Sequence, residues 1–335
     1  RINWSFSPIN EKIWKYSMKI KVLANDGISD SGVSLLKSKS YEVITENVPQ
    51  DNLIEYINNN NVSCLLVRSA TKVRKDIIDN CKNLKLIGRG GVGMDNIDVE
   101  YAKDKGIHVI NTPAASSHSV AELVFSHLFS CVRFLHDSNR NMPLDGDTNF
   151  KALKKNYAKG SELMGKTLGV IGFGRIGQET AKIALGVGME VVYCDKYVDS
   201  VNIELNLAQN NKVSFKLNSS SLEDLLKQSD YVTLHVPAQD DYVIGQKEID
   251  LMKKGSGLIN AARGGVVDEL SLIKSLDSGK LAFAGVDTFE NEPTPSIKLL
   301  MNPRVSITPH IGAATTEAQD RIGIELANQI ISLVK

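Results

Sequence analysis

From Lys19 onward, short β-type runs alternate with stretches of helical spacing, and this alternation restricts the fold more than any other feature of the chain. Lys21–Asn25, Tyr41–Thr45, Ser63–Val67, Leu84–Gly88 and Ile107–Asn111 read as strands. Segments of helical spacing lie between them, ended by breakers such as Gly106. A parallel strand reaches its neighbour only through a crossover, so the pattern predicts βαβ units and a parallel sheet. A second set begins at Lys166. It comprises strand Leu168–Gly172, helix Arg175–Leu185, strand Glu190–Cys194, strands Tyr231–Pro237, Gly257–Ala261 and Leu281–Val286, and a last helix from about Thr316 to Val334. Ser220 with Glu223 is expected to cap a further short helix. With 335 residues the chain exceeds one ordinary core and suits two domains.

Between the two sets lies Ser119–Leu135, where apolar residues cover most of the helical circumference. Such a helix is expected to be buried, between domains or subunits, with Ser119 and Glu122 forming a capping box. Asp137–Gly160 is polar, with a turn at Asp145–Gly146, and reads as a surface connection with some helix. Residues 1–17 do not fit the pattern and lack the apolar stretch of a secretory signal, so they are expected to be an extension that adds no chemistry. No run is long enough to span a bilayer. The 39 basic residues balance 39 acidic ones, which argues against a dedicated nucleic-acid or membrane surface. Cys64, Cys81, Cys131 and Cys194 sit far apart inside apolar runs without metal spacing. Free buried thiols in a reducing, cytoplasmic compartment are expected, and no metal site.

Gly172-Phe173-Gly174-Arg175-Ile176-Gly177 follows an apolar strand and opens a helix, the context that dinucleotide binding requires. Gly172 permits the tight turn, Gly174 the approach of a pyrophosphate, and Gly177 close helix–strand packing. The helix start adds free N–H groups and the positive end of a dipole. Asp195, 18 residues past Gly177, ends the next strand, where a carboxylate can accept the ribose hydroxyls and repel a 2′-phosphate. The expected cofactor is therefore NAD rather than NADP.

Three more segments carry chemistry. Asn260–Asp268 places Arg263 past a strand end, Asp287–Pro293 places Glu292 in a loop fixed by proline, and Thr308–Gly312 places His310 in another loop. With Val92-Gly93, the glycine motif and Leu234-His235-Val236-Pro237, they make the chain resemble the D-isomer-specific 2-hydroxyacid dehydrogenase family over roughly residues 19–335. The resemblance implies that Arg263, Glu292 and His310 are catalytic. Glu292 matches because it directly precedes the proline, which Glu290 does not. His310 is the expected proton acceptor, held by Glu292, while Arg263 binds the substrate carboxylate and polarises the carbonyl. Arg175, Ile176, Ala261, Ala262, Asp287 and Gly312 are expected beside the cofactor, with His235, Val236 and Pro237 on the adenosine side. Backbone N–H groups near Val92 and Gly93 are expected at the substrate carboxylate, with Asn111 also on the substrate side. His118, His127 and His136 read as packing or surface histidines.

The stretches Val67–Val73 and Ile87–Gly91 are similar to those of the D-3-phosphoglycerate dehydrogenases. Arg68, Ser69 and Arg89 would then face the cleft, where two guanidiniums suit a dianionic phosphate. The implied reaction is oxidation of 3-phosphoglycerate to 3-phosphohydroxypyruvate, feeding serine synthesis. The alternatives are a glyoxylate or hydroxypyruvate reductase and, from another class, an NAD-sensing corepressor-like binding protein. Many relatives of this kind carry a C-terminal regulatory domain; with the sequence ending at Lys335, no serine feedback through one is expected. The expected fold is two Rossmann-like or flavodoxin-like α/β domains with parallel sheets. The substrate domain comprises 18–116 plus 310–335, the NAD domain 117–309, and the active site lies in the cleft between them. A homodimer through helix 119–135 is expected.

Overall fold

The computed structural model describes residues 19–334, so the expectation for residues 1–17 lies outside the described residues. The first unit is built from β1 (Lys21–Ala24), α1 (Asp30–Ser38), β2 (Glu42–Ile44), α2 (Leu53–Asn59), β3 (Val62–Val67), α3 (Lys75–Asn80), β4 (Leu86–Arg89), α4 (Val99–Asp104) and β5 (His108–Asn111). Its strands are all parallel in the order β2-β1-β3-β4-β5. Side chains alternate across a strand. Leu65 and Val67 of β3 therefore enter one core with Leu53, Ile57 and Ile77, while Cys64 and Leu66 enter another with Leu36. A sheet covered on both faces explains why its inner strands are mainly apolar.

The chain then leaves through Thr112–Ser116 and builds α5 (Ser117–Val132), α6 (Leu135–Asp145), α7 (Phe150–Asn156), β6 (Thr167–Ile171), α8 (Arg175–Gly186), β7 (Glu190–Cys194), β8 (Ser200–Asn206), β9 (Lys212–Asn218), α9 (Leu222–Gln228) and β10 (Tyr231–Leu234). It continues with α10 (Gln246–Leu251), β11 (Ser256–Asn260), α11 (Glu269–Asp277), β12 (Leu281–Val286), α12 (Ile297–Leu300) and β13 (Val305–Ile307). The second sheet is parallel in the order β13-β12-β11-β10-β6-β7. That is a doubly wound order in which the strand expected outside β7 is missing. The antiparallel hairpin β8–β9 takes its place in the chain. After β13 the chain crosses back and lays α13 (Thr316–Leu333) on the first sheet, where Ile322, Leu326 and Ile330 join Val22 and Leu86.

The two parallel α/β units agree with the expected fold class. Details differ. The strand Tyr231–Pro237 ends at Leu234, and neither the hairpin nor β13 was anticipated. Helix α5 begins two residues before Ser119, whose hydroxyl donates to the Gly312 carbonyl (2.7 Å) instead of capping. It ends at Val132 because Phe134 takes a left-handed conformation, and its outer face is partly polar, with Glu122 and Ser126 exposed beside Phe129. Its buried side packs against the core beneath α8. The cap of α9 is Ser221, which accepts from Asp224 N, while the Ser220 hydroxyl donates to Tyr193 O. No helix among the described residues is long and apolar enough to cross a membrane.

Candidate active site

A cavity of about 460 Å³ lies between the two sheets at the carboxyl ends of their strands. That size suits a small ligand site, and the position is where doubly wound sheets collect ligands. On the second sheet the order reverses between β6 and β10, whose ends carry Gly172 and His235.

Arg263 follows β11. The Asn260 side chain folds this turn, donating from Nδ2 to Arg263 O (2.9 Å) and accepting at Oδ1 from Ala262 N (3.1 Å). The guanidinium crosses the cavity to the loop after β4. Its Nε donates to Asp95 Oδ2 (3.1 Å) and its Nη1 to Ala262 O (2.6 Å). The hydrogens on Nη2 and the second one on Nη1 have no protein partner among the described residues, and a planar guanidinium presents these to a carboxylate as a fork.

His310 and Glu292 come together. His310 Nδ1 lies 2.9 Å from Glu292 Oε2, and Glu292 Oε1 accepts from Phe289 N (3.0 Å). A carboxylate can only accept, so Nδ1 carries the hydrogen and Nε2 is the imidazole's basic nitrogen. The Glu292–Pro293 peptide bond is cis. Glu290 is turned away: its Oε1 accepts from Glu269 N at the start of α11, while Glu269 Oε1 accepts from Glu290 N. Asp287 lines the cavity and is almost wholly buried.

The residues at α8 fit a dinucleotide. Gly172 has φ 88°, and a β-carbon there would lie 2.5 Å from His235 O. A β-carbon on Gly177 would meet Gly172 O at 2.2 Å, so helix and turn pack as closely as backbones can. Around the β-carbon position of Gly174, by contrast, the space is open. Gly174 caps α8 with no side chain in the way, so the first N–H groups face the cavity together with Arg175 and Ile176. His235 Nδ1 is buried with no partner among the described residues, and burial pushes the imidazole pKa down to about 3, which keeps the ring neutral. A ligand's polar group would satisfy that nitrogen.

Gly174, Arg175, Ile176, His235, Val236, Pro237, Ala261, Ala262, Arg263, Asp287, His310 and Gly312 all line the cavity, as do Arg68, Ser69, Arg89, Val92 and Gly93. Glu292 stands behind His310, and Gly172 and Gly177 act through packing. Asp195 does not line it. Its carboxylate accepts from Phe173 N (2.6 Å), Tyr197 N and Val198 N, fastening the glycine turn to the end of β7. Asn111 also stands back and donates to Val92 O (2.7 Å), supporting the loop from below. Several lining residues lie outside the expected set, Asp95 and Ser116 among them. Asp95 lies two residues past Gly93, which is the only local sign of it.

On the first sheet Asp26 accepts from Arg68 N (2.6 Å) and Thr71 N, pinning the turn that bears Arg68. Neither the Arg68 nor the Arg89 guanidinium has a hydrogen bond to protein among the described residues, and Arg89 Nε is buried without one. Burial first, then the Arg263 and Arg68 charges, push the Arg89 pKa down to about 10, so it stays cationic at neutral pH. No cluster of metal ligands is present among the described residues.

Residues 125–312 match the family model for the NAD binding domain of D-isomer specific 2-hydroxyacid dehydrogenases. The chain is 43% identical over 318 residues to a hydroxypyruvate reductase of Thermotoga maritima, covering 93% of this chain and 97% of that one. It is 38% identical over 323 residues to a D-3-phosphoglycerate dehydrogenase of Methanocaldococcus jannaschii, covering 94% of this chain but only 58% of the relative's length. Among solved structures, an NAD-bound 3-phosphoglycerate dehydrogenase of Entamoeba histolytica is similar with a TM-score of 0.72 and 26% identity, covering 93% of this chain and 94% of that one.

Proposed function

The chain belongs to the D-isomer specific 2-hydroxyacid dehydrogenase family, and from that premise we propose that it oxidises 3-phospho-D-glycerate to 3-phosphohydroxypyruvate. It is an NAD-dependent D-2-hydroxyacid dehydrogenase. The observation that carries the finer reading is the pair Arg68 and Arg89. They line the cavity that holds Arg263, and among the described residues neither guanidinium is hydrogen-bonded to protein. One carboxylate on Arg263 leaves the Arg68 and Arg89 guanidiniums without a hydrogen-bonded acceptor, and a phosphate at the substrate's other end supplies one. Similarity to the phosphoglycerate dehydrogenase of M. jannaschii supports the same reading.

In this mechanism the free Nη hydrogens of Arg263 take the substrate carboxylate and the C2 oxygen, and the N–H groups around Val92 and Gly93 take its other side. His310 Nε2 accepts the hydroxyl proton as the C2 hydrogen departs as hydride. Glu292 balances the imidazolium so formed. The nicotinamide, when bound, is the hydride acceptor. The first turn of α8 and His235 would hold the cofactor. In the reverse direction His310 returns the proton and Arg263 polarises the carbonyl.

A second reading is reduction of hydroxypyruvate, supported by full-length similarity to the T. maritima enzyme. Comparing kcat/KM for phosphohydroxypyruvate and hydroxypyruvate separates them. The phosphorylated acid is expected to lead by about thirtyfold or more, the worth of one charged hydrogen bond. A lead for hydroxypyruvate removes the phosphate reading.

Pairing into a homodimer belongs to the same proposal. Phe129 is 45% exposed, Leu135 60% and Phe150 55%, an apolar group along α5, α6 and α7 of the kind that marks association surfaces. A mass of one chain by light scattering would remove it.

A further inference from the structure

A line of hydrogen bonds runs from α5 to the loop that carries His310. His127, 2% exposed, sits in α5 with Nδ1 2.9 Å from Ser306 Oγ and Nε2 3.0 Å from Thr308 Oγ1. The Thr308 hydroxyl donates to Asp287 Oδ1 (2.6 Å). Asp287, 1% exposed, also accepts from Ile311 N at Oδ1 (2.8 Å) and Gly312 N at Oδ2 (2.9 Å). Those two residues directly follow His310. No cation pairs with Asp287 among the described residues, so these donors are what hold its carboxylate.

Donor bookkeeping orients every proton in the line. A carboxylate cannot donate, so Thr308 gives its hydrogen to Asp287, and its oxygen is left to accept from His127. Nε2 of His127 therefore carries the hydrogen, and Nδ1 receives one from Ser306. This needs a neutral imidazole, and burial lowers the His127 pKa, which keeps it so. Each bond points toward Asp287, an arrangement in which each strengthens the next. His310 itself has φ 55°, a left-handed backbone that β-carbon-bearing residues seldom adopt, so its loop needs holding from outside. Glu292 holds the imidazole, and Asp287 holds the main chain beyond it.

We propose that His127, acting through Thr308 and Asp287, is a positioning residue that sets the aim of His310. The inference rests on the acid–base role of His310 proposed above. It is tested with T308V, which keeps the volume and removes the hydroxyl, and with H127F, T308S and H310A. The assay is NADH-dependent reduction of phosphohydroxypyruvate and of hydroxypyruvate. T308V and H127F are each expected to lower kcat about tenfold or more, the scale of a misaimed catalytic group. KM for keto acid and NADH should stay within about twofold, because neither substituted side chain lines the cavity. T308S should restore most of the rate. The double variant T308V/H127F should be little worse than either single, since both break the same line. If H310A is inactive while T308V and H127F turn over like the wild type, or if their losses fall on KM or simply add, the positioning role is wrong. If H310A is as active as the wild type, or neither keto acid is reduced, the parent reading fails instead.

Discussion

Gly93 and Arg263 fit so closely that a β-carbon on Gly93 would lie 1.6 Å from Arg263 Nη2. The atom in the way is the end of a flexible side chain, not backbone. G93A should therefore displace the guanidinium rather than unfold the protein. We expect kcat/KM to fall about a hundredfold with a nearly unchanged Tm. Thermal melts and steady-state kinetics on the same preparation check both halves; intact kinetics would mean that Arg263 does not anchor the substrate.

Glu292 to Gln is a subtler lesion than its near-isosteric shape suggests. Glu292 Oε1 serves Phe289 N and Oε2 faces His310 Nδ1. In the amide, a donor would face a donor unless the imidazole shifts its hydrogen to Nε2, the nitrogen that must accept the substrate proton. E292Q should lower oxidative turnover by about a hundredfold or more while NAD binding, read by fluorescence titration, stays as it was. Unaltered turnover would separate Glu292 from the chemistry.

Arg68 and Arg89 should matter by substrate. On the phosphate reading each would contribute a charged hydrogen bond to the substrate, about 2 kcal/mol or some thirtyfold. R68A is expected to lose that factor in kcat/KM on phosphohydroxypyruvate and little on hydroxypyruvate. Equal losses on both would make these arginines structural.

The glycine turn and the three segments bearing Arg263, Glu292 and His310 were legible because each sits at a strand end marked by Gly or Pro, where pattern and chemistry coincide. The hairpin β8–β9 was not. Its alternation of Val201, Ile203 and Leu205 with Asn202, Glu204 and Asn206 has the period of a half-buried strand, but nothing local distinguishes a hairpin there from the usual outer strand. The α9 cap was misread because Ser219, Ser220 and Ser221 are locally equivalent, and only the bond from Ser220 to Tyr193 O decides between them. His127 read as a packing residue, since its partners lie 179 and 181 residues away. Asp95 was invisible for the same reason, its partner being 168 residues distant.

The four cysteines should be inert. Burial pushes the thiols of Cys64 and Cys131 up to about 12 and that of Cys81 to about 11, and the half-buried Cys194 is also raised. The reactive thiolate is scarce at neutral pH. Iodoacetamide at pH 7.5 is expected to leave activity unchanged and mass spectra unlabelled; inactivation that tracks one label would contradict this.

Glu269 makes stability depend on pH. Burial first, and the Glu290 charge as well, raise its pKa above 4.5. The folded chain then keeps a proton that the unfolded chain has lost, so the favourable contribution is present below pH 4.5 and is lost as pH rises through the folded value. E269Q keeps an oxygen for Glu290 N and never ionises. Its Tm should gain on the wild type between pH 5 and pH 8; a gap that stays constant would count against a buried charge.

Arg263, Glu292 and His310 follow β11, β12 and β13, which are adjacent and parallel. The strands that deliver them are therefore spaced by the rungs of one hydrogen-bonded ladder, about 4.8 Å apart, and the helices that return between them run behind the sheet. Whole segments there could lengthen or shrink over evolution while the reacting groups kept their mutual registration. The chemistry is ruled, like notes on a stave, by the sheet beneath it.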